Sequence, residues 1–97
     1  MYTLNVYDFE RDEIVKTLTK SYCPTKLYLE FADIYEQGKD KPNSKILGEI
    51  KQPMMRLFRE LTEDDWDNLV IGDVLGVFAD IVVSAPAIRT PPADAKN

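Results

Sequence analysis

Cys23 is the residue of this chain with the chemistry closest to that of a catalytic nucleophile, and it lies between Lys20 and Lys26. A thiolate is the attacking species, so a catalytic cysteine needs a neighbouring cation or base that lowers its pKa. The chain contains no histidine, which removes the usual general base and the commonest metal ligand. We therefore predict that Cys23 is a structural or incidental thiol and that the protein is not an enzyme.

A second group that could do chemistry is the acidic run containing Glu63, Asp64, Asp65 and Asp67. Carboxylates bind Ca²⁺, but an EF-hand loop also needs alternating oxygen ligands, a central glycine and a terminal glutamate, and the run lacks this pattern. Thr62 precedes the run and can accept hydrogen bonds from the first N–H groups of a helix, whose positive end then favours the acids. The four glycines are isolated and form no phosphate-binding loop. We predict no metal and no cofactor.

Composition excludes several other classes of protein. The 97 residues suffice for one small domain. With 12 basic and 17 acidic residues the formal net charge is -5, so nucleic acid would be repelled. No run approaches the roughly 18 apolar residues that span a bilayer, and the first residues lack the basic and apolar regions of a signal peptide. A single cysteine excludes an intrachain disulfide. We expect a cytoplasmic protein that binds neither nucleic acid nor membrane.

The elements that would position these residues begin with a short strand or extended arm. Apolar and polar residues alternate over residues 2–6, as in a half-buried strand. Asp8 then follows as a candidate cap for a helix over residues 9–20. Its predicted apolar face consists of Ile14, Val15 and Leu18.

Residues 26–37 carry the clearest helical pattern of the first half. Pro24 disfavours helical geometry at Cys23, and Thr25 is a candidate cap. Gly38 is expected to end this helix, and a polar surface loop follows. Ser44 is a candidate cap for the next helix, in which Pro53 should cause a kink or a break.

The second half ends in two short helices and a tail. Leu61 and Trp66 flank the Thr62 cap at the spacing of a hydrophobic staple. After Gly72 an apolar stripe recurs at helical spacing, and it consists of Val74, Leu75, Phe78, Ile81 and Val82. Residues 84–97 contain three prolines and one large aliphatic residue, which predicts a flexible tail.

Together these patterns predict a mainly α fold, a small bundle of four to five short helices with a short N-terminal strand or arm. Residues 1–83 would form the single domain, and residues 84–97 a disordered Pro/Ala-rich C-terminal tail. The predicted core consists of Leu27, Phe31, Ile34, Leu57, Phe58, Trp66, Phe78 and Ile81.

Small size favours a protein that binds partners. A domain of this length buries only around 60 to 65% of its unfolded surface, and short helices gain most of their stability by docking an apolar face. We therefore expect a homo-oligomer or a complex in which another chain covers part of the apolar stripes. The candidate partner-binding residues are Tyr28, Phe31, Tyr35, Met54, Leu57 and Phe58.

Two runs of this sequence resemble a known family. TLTKSYCPTKLYLEFADIYE, followed after a polar loop by MMRLFRELTEDDWDNLVIGDVLGVFADIV, is similar to tail assembly chaperones of long-tailed, siphovirus-type bacteriophages of Gram-positive bacteria. The resemblance implies a small helical protein of the host cytoplasm that binds the tape-measure protein, keeps it soluble and presents it to tail-tube subunits. It implies no catalytic site.

Two other classes remain open from the sequence. An acidic DNA mimic or antirepressor would occupy a nucleic-acid-binding protein, and it should carry carboxylates in phosphate-like rows on one face. A cysteine-dependent enzyme would require Cys23 to be exposed beside a cation. A chaperone should instead show an apolar groove or a self-association surface.

Overall fold

The computed structural model describes residues 1–84 and shows an antiparallel hairpin followed by four α-helices. The strands are β1 (Tyr2–Asp8) and β2 (Glu13–Lys20). The helices are α1 (Thr25–Gln37), α2 (Asn43–Leu57), α3 (Glu63–Asp67) and α4 (Ile71–Ala79), and a π-helical turn (Asp80–Ser84) continues α4. The predicted tail lies outside the described residues except for Ser84.

The predicted helical bundle is therefore wrong, because residues 13–20 form a strand where a helix was expected. Four of the eight residues in β2 are β-branched, which favours extended backbone. Asp8, expected to cap a helix, instead orders the hairpin loop, where its Oδ1 accepts hydrogen bonds from the N–H groups of Glu10 (3.0 Å) and Arg11 (3.3 Å). Asp12 has a φ of 56°, a left-handed conformation that aspartate tolerates in turns.

The hairpin buries one face and leaves β2 on the outside of the sheet. Leu4 pairs with Leu18, and both side chains are buried. A bulge between Val6 and its neighbour accommodates Val15 as an extra residue in β2. On its other edge β1 pairs with the segment before α4, since Val6 bridges Leu69. In the described part of the chain, β1 thus has neighbours on both edges and β2 on one.

Most of the predicted core is confirmed. Six of its eight members are buried, and Ile34 and Trp66 are partly buried against the same cluster. Helix α1 packs against α2 and the π-helical turn, while α4 packs against β1. The core also takes in eight residues beyond the predicted core set. These are Leu4, Leu18, Ile46, Ile50, Met54, Leu61, Val74 and Val77.

Helix starts were predicted correctly only at α3. Thr62 accepts a hydrogen bond from the N–H of Asp65 (3.0 Å), and the Asp65 carboxylate accepts one from the N–H of Thr62 (3.2 Å), which completes a capping box. Thr25 and Ser44 do not cap α1 and α2, because Pro24 and Pro42 occupy the cap positions without a side-chain hydrogen bond.

The proline carbonyl at each helix start accepts a first-turn hydrogen bond, as the carbonyl of an N-cap residue does in any helix. The Pro24 carbonyl accepts from Tyr28 N (2.9 Å), and the Pro42 carbonyl accepts from Ile46 N (3.2 Å). Proline also fixes φ near the observed values of -58° and -70°. Further along, α2 continues through Pro53, which is buried, so no second helix begins there.

Candidate partner-binding site

A surface groove lies where the end of α1, the loop before α2, the start of α2 and the face of α4 meet. We call it the α1–α4 groove, and its volume is about 470 Å³. It combines an aromatic and aliphatic floor with a polar rim, as ligand and peptide grooves do. Its lining residues are Tyr35, Gly38, Lys39, Lys41, Asn43, Ile46, Leu75 and Phe78.

An aromatic series leads from the core to this groove. The ring of Phe31 is fully buried and lies 6.0 Å from that of Phe78. Phe78 in turn meets Tyr35 edge to face at 6.1 Å, and Tyr35 is 41% exposed. These distances suit aromatic pairs. Tyr35 is therefore held by the core on one side while its other side is free for a contact.

Gly38 allows the close packing that shapes the groove. A Cβ at this position would overlap the Ile46 side chain and lie 2.8 Å from the carbonyl oxygen of Ile34. The glycine N–H meets the carbonyl of Tyr35 (3.3 Å), and its own carbonyl accepts from Lys41 N (3.0 Å). Glycine was expected to end α1 and does so, but the reason is space, because its φ is -97°.

The groove rim carries charges that are already balanced. Lys41 Nζ lies 2.7 Å from Glu49 Oε2, and Lys39 Nζ lies 3.5 Å from Glu36 Oε1. Both pairs are partly exposed, so salt would screen them. A rim of this kind offers polar contacts around an apolar centre without a strong preference for an anion.

The structure brings only one of the predicted partner-binding residues into the groove. Tyr35 lies there, and Tyr28 is half-buried against the core. The other four are at most 1% exposed and lie in the core, so the structure does not support their assignment as partner-binding residues. They are Phe31, Met54, Leu57 and Phe58.

Sequence reasoning missed most of the groove. Lys39, Lys41 and Asn43 belong to a segment that looks like an ordinary polar loop. Leu75 was assigned to an apolar stripe, but helical spacing does not distinguish a core position from a groove wall. One sequence signal could have revealed the groove. Gly38 lies between two apolar helices, and a glycine at such a position indicates that another part of the chain packs closely against its backbone.

Cys23 lacks the surroundings of a reactive thiolate. Burial raises the pKa of its thiol above the ordinary value, which keeps it protonated. Its Sγ lies 3.6 Å from the Pro24 carbonyl oxygen. The Lys20 ammonium lies over the Tyr22 ring, 4.8 Å from its centroid. The geometry favours an ordinary thiol.

The acidic run is used for helix capping and ion pairing. Asp65 Oδ2 lies 2.7 Å from Lys16 Nζ, a contact that joins α3 to β2. That hydrogen bond, together with those from Thr62, holds the pKa of Asp65 below its ordinary value. Glu63 Oε1 lies 2.6 Å from Lys51 Nζ. Within residues 1–84, no three cysteine or carboxylate side chains are grouped as metal ligands would be.

Four carboxylates outside the acidic run are also paired with cations. Arg56 forms a two-pronged contact with Glu30 across α1 and α2, with one N–O distance of 2.8 Å, and this lowers the pKa of Glu30. A DNA mimic needs rows of unpaired carboxylates. Here lysine and arginine side chains lie between the paired carboxylates, which does not fit that arrangement. Among the residues that the structure describes there are six ion pairs, Asp8–Arg11, Lys16–Asp65, Glu36–Lys39, Lys41–Glu49, Lys51–Glu63 and Glu30–Arg56.

Comparisons with protein-family models, with curated proteins and with solved structures gave no match to this chain. None of the helices in the described part of the chain is both long and apolar enough to cross a membrane.

Proposed function

We propose that this protein is a tail assembly chaperone of a long-tailed bacteriophage. In this role it binds the tape-measure protein in the host cytoplasm, keeps it soluble and promotes assembly of the tail tube. The observation that carries the proposal is the α1–α4 groove, which is lined by the 41% exposed Tyr35 together with Ile46, Leu75 and Phe78. The resemblance of residues 17–82 to that family suggests the partner.

The groove suits a particular kind of segment. Its floor is aromatic and aliphatic, and its rim is neutral overall because each rim lysine has a carboxylate beside it. Such a site favours apolar side chains projecting from an extended or helical segment, with polar flanks that meet the rim. A long helical tape measure would expose segments of this kind before the tube encloses it. The tail-tube protein is a further proposed partner.

Co-expression tests the proposal directly. The tape-measure protein from the same gene cluster should be more soluble when produced with this chain and should co-purify with it. An unrelated acidic protein of similar size is the matched control, because it separates specific binding from a general effect of negative charge. Equal solubility with both proteins, together with no co-purification, would reject the proposal.

The acidic DNA mimic or antirepressor is the less favoured function. Six of the 16 carboxylates in residues 1–84 lie beside lysine or arginine, which lowers the negative potential that a mimic needs at those positions. Competition with DNA for a nucleic-acid-binding protein from the same phage would favour the mimic. Binding of the tape measure alone would favour the chaperone.

A further inference from the structure

The outer strand β2 presents an open backbone edge. It pairs with β1 along one side, and β1 is itself flanked on its other side by the segment containing Leu69. Within residues 1–84 the sheet contains only β1 and β2, so no second strand pairs with β2. Alternate N–H and C=O groups of an edge strand point away from its neighbour and can pair with another chain.

Two features that protect edge strands are present in β2, lysines and a bulge, but neither covers the whole edge. The strand contains no proline, and its Ile14 and Val15 side chains are 49% and 59% exposed. Lysine is a common guard on edge strands, but the Lys16 ammonium is held by Asp65 at 2.7 Å. The bulge at Val15 adds a local twist, whereas residues 16–20 remain in regular register with β1. The strand is therefore available for pairing on both sides of the bulge, at residues 13–14 and at residues 16–20.

The charges at the two ends of β2 indicate which strand would pair with its open edge and whether that strand runs parallel or antiparallel to β2. Glu13 begins the strand and Lys20 ends it. Glu13 faces Asp8 across the hairpin, a like-charge pair that a nearby cation would relieve. A second copy of β2 running antiparallel along the whole strand, with Val15 left out of the pairing as it is in the pairing with β1, brings its Lys20 towards Glu13, and the same contact recurs at the other end. A parallel copy would instead place Glu13 beside Glu13.

We propose that β2 pairs antiparallel with β2 of a second copy across a two-fold axis, which joins the two hairpins into one four-stranded sheet. Such an interface is self-complementary, as two-fold dimers require. An interface centred on one strand is small, so the association is reversible and depends on protein concentration. This inference assigns a surface to self-association and does not require tape-measure binding.

Sedimentation equilibrium of the purified chain alone, from micromolar to millimolar concentration, tests the interface. We expect a monomer–dimer equilibrium for the parent protein. Val15→Lys places a charge on the edge and should raise the dissociation constant at least about tenfold. Leu29→Lys is the matched control, because Leu29 is also 59% exposed but lies on α1, and it should leave the constant within about twofold.

Charge reversal tests the antiparallel direction. Glu13→Lys and Lys20→Glu should each weaken the dimer, because both ends then carry like charges. The double variant restores opposite charges at both ends and should restore dimerisation. A parent protein that stays monomeric at millimolar concentration, equal weakening by Val15→Lys and Leu29→Lys, or a double variant no better than the single ones would overturn the proposal. Co-expression with the tape measure is a separate experiment, so the two failures can be told apart.

Discussion

The rings of Phe31 and Phe78 lie in a core enclosed by helices, whereas Ile14 and Val15 on the outer strand β2 are about half exposed. Both regions are rich in apolar residues, yet only the helical region has neighbours on every side. In β2 the single buried apolar residue is Leu18. The difference separates the residues that determine stability from those that are available for contacts between chains.

Truncating the core should have the largest effect. Phe78→Ala removes a ring that contacts both Phe31 and Tyr35, and it should lower the free energy of unfolding by about 3–5 kcal/mol. That loss is close to the whole stability of a small domain. Thermal and urea denaturation measure it. A variant as stable as the parent would show that the helical core does not enclose Phe78.

Crowding at the edge of the core should lower the free energy of unfolding by less than the loss of the Phe78 ring does. Gly38→Ala forces a Cβ against Ile46 and the carbonyl of Ile34, so we expect a loss of about 1–3 kcal/mol. Gly48→Ala is the matched control, since a Cβ at Gly48 in α2 meets no atom within 4 Å. The control should be stabilised by about 0.5–1 kcal/mol. Urea titrations of both variants would refute the packing account if the two changes had the same sign.

Asp65 links the helical region to the outer strand β2, because it caps α3 and binds Lys16 on β2. Asp65→Ala removes both contacts and should cost about 1–2 kcal/mol. The folded-state pKa of Asp65 lies below its ordinary value of 3.8. Its stabilising contribution is therefore complete above pH 3.8 and is lost as the pH falls through 3.8 towards the folded-state pKa.

Denaturation of the parent and Asp65→Ala proteins at several pH values tests this link. The difference in unfolding free energy should be largest near neutral pH and should shrink as the pH falls below 3.8. Glu30, which Arg56 holds at a lowered pKa, titrates in both proteins and cancels in the difference. A difference that does not change with pH would contradict the Asp65 contact.

The smallest effect on stability should come from the outer strand. Val15→Lys changes a side chain that is already mostly in water, so the unfolding free energy of the monomer should change by no more than about 0.5 kcal/mol. Denaturation at low protein concentration measures this without a contribution from dimers. A loss comparable with that of Phe78→Ala would show that β2 belongs to the enclosed core.

Sequence patterns identified α1, the Thr62 cap and most of the core, because those depend on local spacing. They failed at β2, where Ile14, Val15 and Leu18 also fit a helical face. Pairing with residues that lie many positions earlier decided between the two conformations. The α1–α4 groove was missed for a related reason, since it depends on how the end of α1 meets α4.

Aromatic substitutions in the groove test the proposed function most directly. Tyr35→Ser removes the exposed groove aromatic, and Tyr22→Ser is the matched control because Tyr22 is exposed but lies outside the groove. Each variant is co-expressed with the tape-measure protein, and the soluble, co-purifying fraction is measured. We predict a large loss of that fraction with Tyr35→Ser and little change with Tyr22→Ser. Equal recovery of the tape measure with both variants and the parent would contradict binding in the groove.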